Sequence, residues 1–185
     1  MTSRLIYIIG ASGVGKDALM QYARQRINGS LPVLFAHRYI TRDATEGSEN
    51  HIAISPQEFR LRRDAGLFAL HWESHDLYYG IGLEIESWMN SGLHVVVNGS
   101  RQYLPVAAKR YQQLTPIIIE ADEEIIRRRL ETRGRETADG IATRIKRQPV
   151  LPADLPGLIR IANNGTLEEG GDTLVRSIHT LLMVS

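Results

Sequence analysis

Residues 10–16 read Gly-Ala-Ser-Gly-Val-Gly-Lys, which is the GxxxxGK spacing, and they stand between an apolar run from Leu5 to Ile9 and a stretch with helical periodicity through Leu19, Met20, Ala23 and Ile27. This set of residues suits a polyphosphate. Gly10, Gly13 and Gly15 let the backbone curl until several N–H groups face one anion, those of Ala11, Ser12 and Val14 among them, and the helix beginning near Lys16 adds the positive end of its dipole. The Lys16 ammonium then reaches the outer phosphates. The bland alternative is a glycine-rich turn joining strand to helix, but the strand before, the helix after and the lysine at this spacing together argue against it.

The Ser or Thr that usually follows the lysine, and whose hydroxyl touches Mg²⁺, is replaced by Asp17. A carboxylate is a hard oxygen ligand, so Asp17 either binds Mg²⁺, directly or through its water shell, or is a first-turn acid favoured by the helix dipole. The loop predicts nucleotide binding without separating kinases from hydrolases.

The elements that must position this loop follow from the pattern of apolar residues. Strands are expected at Leu5 to Ile9, Pro32 to Ala36, Phe68 to Trp72, His94 to Val97, Pro116 to Glu120 and Ile159 to Ala162. Helices are expected over Lys16 to Ile27, from a Ser55-Pro56-Glu58 capping start through Arg63, over Leu83 to Met89, Leu104 to Tyr111, Asp122 to about Arg133, and Asp172 to Leu182. His37 to His51 is polar and turn-rich with no strong period. The alternation predicts an α/β fold, a parallel sheet with helices on both sides, in a single domain.

Composition narrows the function classes. The 185 residues contain no Cys, which excludes disulfides, thiolate metal sites and a thiol nucleophile and suits a reducing cytosol. No apolar stretch approaches the ~20 residues needed to cross a bilayer, and Leu5 to Ile9 runs into the glycine loop rather than a cleavage site, so a cytoplasmic protein without a membrane partner is expected. The net charge is only +1, yet 19 of the 22 basic residues are Arg, and residues 127–147 carry eight basic against three acidic side chains. Arg suits bidentate binding of phosphate. No aromatic-rich basic strand accompanies the charge, so RNA is not the expected partner. His71, His75 and His94 lack metal-ligand spacing.

Several short motifs in order give the chain a resemblance to the guanylate kinase family of P-loop kinases. Besides the loop at 10–16 these are Thr41-Arg42, Tyr78-Tyr79-Gly80, Gly99-Ser100-Arg101 after a central strand, Arg133-Gly134-Arg135, Ile141 with Arg144 and Ile145, and Asn163 to Glu168. The departures are equally specific. The family's guanine-reading Glu falls on Leu70, its second acid has no counterpart in Val95-Val96-Val97-Asn98, and a shortened stretch leaves His51 or Asn50 near a family Tyr. Within the family, His37 to Ala44, Gly47 to Ala53, Leu77 to Gly80 and Val97 to Arg101 resemble the ribose 1,5-bisphosphate phosphokinases of phosphonate breakdown, as does Asp17.

The resemblance implies a P-loop three-layer fold, guanylate kinase-like, with an acceptor-binding insertion at about 37–82 and an Arg-rich lid at about 130–150. It implies ATP and Mg²⁺, and a phosphorylated sugar as substrate. Lys16 and the loop amides would hold the donor, and Arg133, Arg135 and Arg144 would close over the transferring group. Arg38, Arg42 and Tyr79, with Asn98 and Arg101, would hold the acceptor. Three rival readings stay open: a nucleoside monophosphate kinase, a non-catalytic interaction module, and a kinase acting on a hydroxyl with Asp43 or Asp76 as base. At least two of Arg127, Arg128, Arg129 and Arg133 are expected to be merely solvated.

Overall fold

The computed structural model describes residues 3–43, 51–133 and 155–183; the side chain of Arg133 lies outside that description. Among the described residues the chain runs β1 (Leu5–Gly10), α1 (Lys16–Ile27), β2 (Val33–Phe35), β3 (Arg38–Ile40), β4 (His51–Ala53), α2 (Pro56–Asp64), β5 (Phe68–Ser74), β6 (Leu77–Gly82), α3 (Glu84–Asn90), β7 (His94–Asn98), α4 (Leu104–Arg110), β8 (Leu114–Glu120), α5 (Glu123–Arg133), β9 (Ile159–Ala162) and α6 (Leu167–Met183). One sheet has the order β2-β7-β1-β8-β9, with β2 parallel to β7 and β8 parallel to β9. This is the expected α/β sheet. The chain divides into two compact units, residues 1–7 with 29–114 and residues 8–28 with 115–185.

In the second unit, Ile8 and Ile9 of β1 and Ile117, Ile118 and Ile119 of β8 are buried, as continuous apolar runs must be in a strand covered on both faces. Helices α1 and α6 pack together through faces that bury Leu19, Met20, Ala23 and Ile27 on one and Leu174, Ile178 and Leu182 on the other. The α6 helix begins five residues before the apolar period at Asp172. Its start is a capping box: the Thr166 hydroxyl accepts from Glu169 N–H at 3.2 Å, and the Glu169 carboxylate accepts from Thr166 N–H at 2.8 Å.

The first unit holds a second sheet, β4-β3-β6-β5, that periodicity did not reveal. Its β3 and β4 are three residues each, too short to show alternation, and they lie at the two ends of the stretch read as turn-rich. Strand β6 returns antiparallel along β5 through a two-residue turn in which His75 and Asp76 have φ of 52° and 59°, the twist a tight hairpin requires. As expected, α2 starts at Pro56 with the Ser55 hydroxyl accepting from Glu58 N–H at 3.1 Å. Phe59 of α2 stacks on Phe68 and Tyr78, so Tyr78 belongs to this unit's packing.

His94 opens β7 almost fully buried, at 2% exposure, with Nδ1 accepting from Arg4 N–H at 3.1 Å. Burial, reinforced by the nearby Arg4 charge, holds its imidazole below the usual histidine range. The folded chain therefore keeps His94 neutral where the unfolded chain takes up a proton. This contribution is full above about pH 6.5 and is lost as the pH falls below it. Denaturant midpoints should drop between about pH 7.5 and pH 5.5, and drop less in His94→Gln; equal slopes in the two proteins would contradict this.

Candidate functional site

β1 delivers Gly10 and α1 begins at Lys16, so Gly10, Ala11, Ser12, Gly13, Val14 and Gly15 form the turn between them, where the sequence placed it. Gly13 and Gly15 both have φ of 88°, a left-handed conformation that L side chains resist. At Gly10 the constraint is space: a Cβ would stand 2.7 Å from the Ile119 carbonyl oxygen. The Val14 carbonyl is held by two donors, Asn163 Nδ2 at 2.6 Å and Arg129 Nη1 at 3.1 Å. A carbonyl so held cannot swing round to repel a phosphate. Only a glycine at 15 admits this clamp, since a Cβ there would lie 2.6 Å from Asn163 Nδ2.

The N-cap Gly15 makes no side-chain cap to the first turn of α1, where the positive end of the helix dipole lies. Lys16 and Asp17 stand at its start, with Nζ and Oδ1 3.7 Å apart. Asp17 is therefore a first-turn acid, and its carboxylate is also the right kind of donor for Mg²⁺. Among the described residues no group of three or more His, Asp or Glu side chains could cage a metal, so Mg²⁺ would draw its other ligands from phosphate and water.

Asn163 is 3% exposed, and its own N–H donates to the Glu120 carbonyl at 2.7 Å. Next to it, Asn164 Oδ1 accepts from Asp122 N–H at 2.8 Å, which ties the end of β9 to the entry of α5. Sequence reasoning missed Arg129 and gave Asn163 no role in the loop. Two arginines of α5 are indeed solvated, Arg127 beside Glu123 and Arg128 beside Glu124. Arg129 sits three residues after the buried Ile126, and that helical phase was the available signal.

The acceptor candidates lie in the first unit. Cross-strand pairs Ile40 with Tyr79, Trp72 with Tyr79 and Leu70 with Ile81 put these side chains on one face of the second sheet, and alternation puts Arg38 there too. The structure brings Arg38 and Tyr79 together, the guanidinium 5.1 Å above the ring centroid. Behind Tyr79, Trp72 lies parallel within 3° at 5.6 Å, and Tyr103 follows at 5.7 Å from Trp72. Leu70 is 1% exposed and offers no acceptor to a base.

Thr41 places Arg42 by pairing with Tyr78, through its N–H to the Tyr78 carbonyl at 3.2 Å and its hydroxyl from Tyr78 N–H at 2.9 Å. The His51 ring lies 3.4 Å from the Arg42 carbonyl. Asn98 ends β7 at 4% exposure, and Arg101 follows three residues later, half-buried. Asp43 is exposed, and Asp76 occupies the exposed hairpin tip. Arg133 ends α5, while Arg135, Arg144 and Asn50 lie outside the described residues. No described helix is long and apolar enough to cross a membrane.

No family model matches the chain. It is 54% identical over 172 residues to a ribose 1,5-bisphosphate phosphokinase of Desulfomicrobium baculatum, covering 93% of this chain and 92% of the relative. A ribose 1,5-bisphosphate phosphokinase of Thiobacillus denitrificans is 49% identical over 173 residues, 94% of this chain and 91% of that one. Among solved structures, a guanylate kinase from Anaplasma phagocytophilum superposes with a TM-score of 0.69 at 17% identity, covering 96% of this chain and 85% of that one. A sugar kinase from Janibacter gives 0.54 at 15% identity, with 96% and 95% covered. These structures establish the P-loop kinase fold.

Removing the clamp tests the loop directly. Asn163→Ala leaves the Val14 carbonyl to Arg129 alone, and affinity for a non-hydrolysable ATP analogue should fall about tenfold in calorimetric titration. Unchanged affinity would show that Asn163 does not shape the cradle.

Proposed function

The chain belongs to the family of ribose 1,5-bisphosphate phosphokinases, and from that membership we infer that it transfers the γ-phosphoryl group of ATP to the 1-phosphate of ribose 1,5-bisphosphate. The products are ADP and 5-phosphoribosyl 1-diphosphate, in phosphonate catabolism. The observation that carries this reading is the 54% identity spanning 93% of the chain. The formed cradle speaks against a non-catalytic module, because Lys16 and the left-handed glycines have no purpose in one.

The chemistry asks little covalent work of the protein. The attacking atom is a phosphate oxygen, largely ionised near neutral pH because a second phosphate pKa is about 6, so no general base is required and neither Asp43 nor Asp76 is needed as one. What remains is alignment and the neutralising of charge on the transferred group. The loop amides of residues 10–15 and Lys16 hold the donor. Arg38, Arg42 and Tyr79 of the acceptor-binding insertion at about 37–82, with Asn98 and Arg101, would hold the acceptor, and Arg133, Arg135 and Arg144 would close over the transferring group. Mg²⁺, when bound beside Asp17, offsets charge on the donor phosphates. An ATP-consuming reaction in a cysteine-free chain suits the cytoplasm.

The buried Leu70 favours this acceptor over a purine nucleotide. A site without hydrogen-bonding partners for a base forgoes the large selectivity that such partners give. Purified protein with ATP, Mg²⁺ and ribose 1,5-bisphosphate should release ADP in a coupled assay, and Lys16→Ala should lower kcat by about a hundredfold or more. Equal or faster turnover with GMP would overturn the acceptor assignment.

A further inference from the structure

Leu5 to Ile9 is aliphatic except at one position, Tyr7, and that tyrosine is fully buried at 0% exposure. Burying a phenol costs free energy unless its oxygen is bonded, and here it is bonded twice to one residue. The hydroxyl accepts from Ser100 N–H at 3.0 Å and donates to the Ser100 carbonyl at 3.2 Å. Both backbone polar groups of Ser100 are thereby fixed by a side chain 93 residues earlier in the chain. The contact also demands Gly99, because a Cβ at that position would collide with the Tyr7 ring. Burial pushes the phenol far above the usual tyrosine range, so it stays protonated and keeps its donor at any working pH.

Ser100 stands between Asn98 and Arg101, two of the acceptor candidates. Tyr103, three residues after Ser100, packs on Trp72, and Trp72 stacks beneath the Tyr79 ring that carries Arg38. Tyr7 thus anchors the turn after β7, and that turn leads to Tyr103, which packs on the aromatic platform of β5 and β6, all within the first unit.

We propose that Tyr7 is a positioning residue for the acceptor: without touching substrate, its hydroxyl locks the Ser100 peptide and so sets the directions of Asn98 and Arg101. The role rests on the reaction inferred above. A phenylalanine would fill the same space, but it would leave a donor and an acceptor of the Ser100 backbone to seek other partners by rotating the peptide.

The test uses the full chain with ATP, Mg²⁺ and ribose 1,5-bisphosphate, comparing wild type with Tyr7→Phe. The expected result is a rise of about tenfold in KM for ribose 1,5-bisphosphate, with KM for ATP changed by less than about twofold. A variant with a lower thermal midpoint and unchanged acceptor KM would show a structural role alone and overturn the proposal. Equal losses toward both substrates would do the same. Gly99→Ala, which presses a Cβ against the hydroxyl end of the Tyr7 ring, should give the same acceptor-selective signature and supplies the reading if Tyr7→Phe does not fold. Failure of both variants to fold would also mark Tyr7 as structural and overturn the assignment. Wild-type protein inert toward ribose 1,5-bisphosphate would sink the reaction and this role with it, whereas an active wild type with unselective variants would sink the role alone.

Discussion

In the proposed reaction, the donor half depends on the direction of one carbonyl. In a loop proposed to present N–H groups to an anion, each C=O is a potential repulsion, and the Val14 oxygen is held by two side-chain donors. Asn163 and Arg129 grip it from two later parts of the chain, 149 and 115 residues away. Gly13 and Gly15 supply the left-handed turns between which Val14 stands. The strands and helices of the second unit serve this contact: β8 presses against Gly10, β9 ends at Asn163, and α5 carries Arg129 to the loop.

On the proposed acceptor side, the interaction that stands out is a cation held over an aromatic stack. An arginine above a ring keeps its planar fork oriented, and a loose lysine would not be fixed in this way. Arg38 above Tyr79, with Trp72 behind, is such an arrangement. The same face is apolar at Leu70 and Ile81, which offer no hydrogen-bonding partner to the edge of a base. This division fits an acceptor that is a sugar carrying phosphates.

Much of this was legible in the sequence, for physical reasons that differ by element. β1, β7 and β8 are covered on both faces, so they read as unbroken apolar runs, and α2 declares itself through Ser55, Pro56 and Glu58. The phosphate loop is legible because its backbone conformation can be met only by glycine at fixed spacing. By contrast β3 and β4 are set by pairing with neighbours and not by their own three residues, and β6 lies hidden within the Tyr78-Tyr79-Gly80 motif. The α6 start was missed because a capping box at Thr166 and Glu169 extends the helix beyond its apolar period. Arg129, Asn163 and Tyr7 act through contacts about a hundred or more residues away in sequence, which no local pattern encodes. Tyr7 did leave one trace, a hydroxyl inside an aliphatic strand.

The most direct measurement of the central claim is an amide NMR titration of isotope-labelled protein with a non-hydrolysable ATP analogue and Mg²⁺. The backbone N–H signals of Gly13, Gly15 and Lys16 should move first and furthest, together with the Asn163 side-chain amide that holds the loop. Saturable binding that leaves those signals in place and shifts others instead would mean that the nucleotide sits elsewhere, and the account would be wrong at its root.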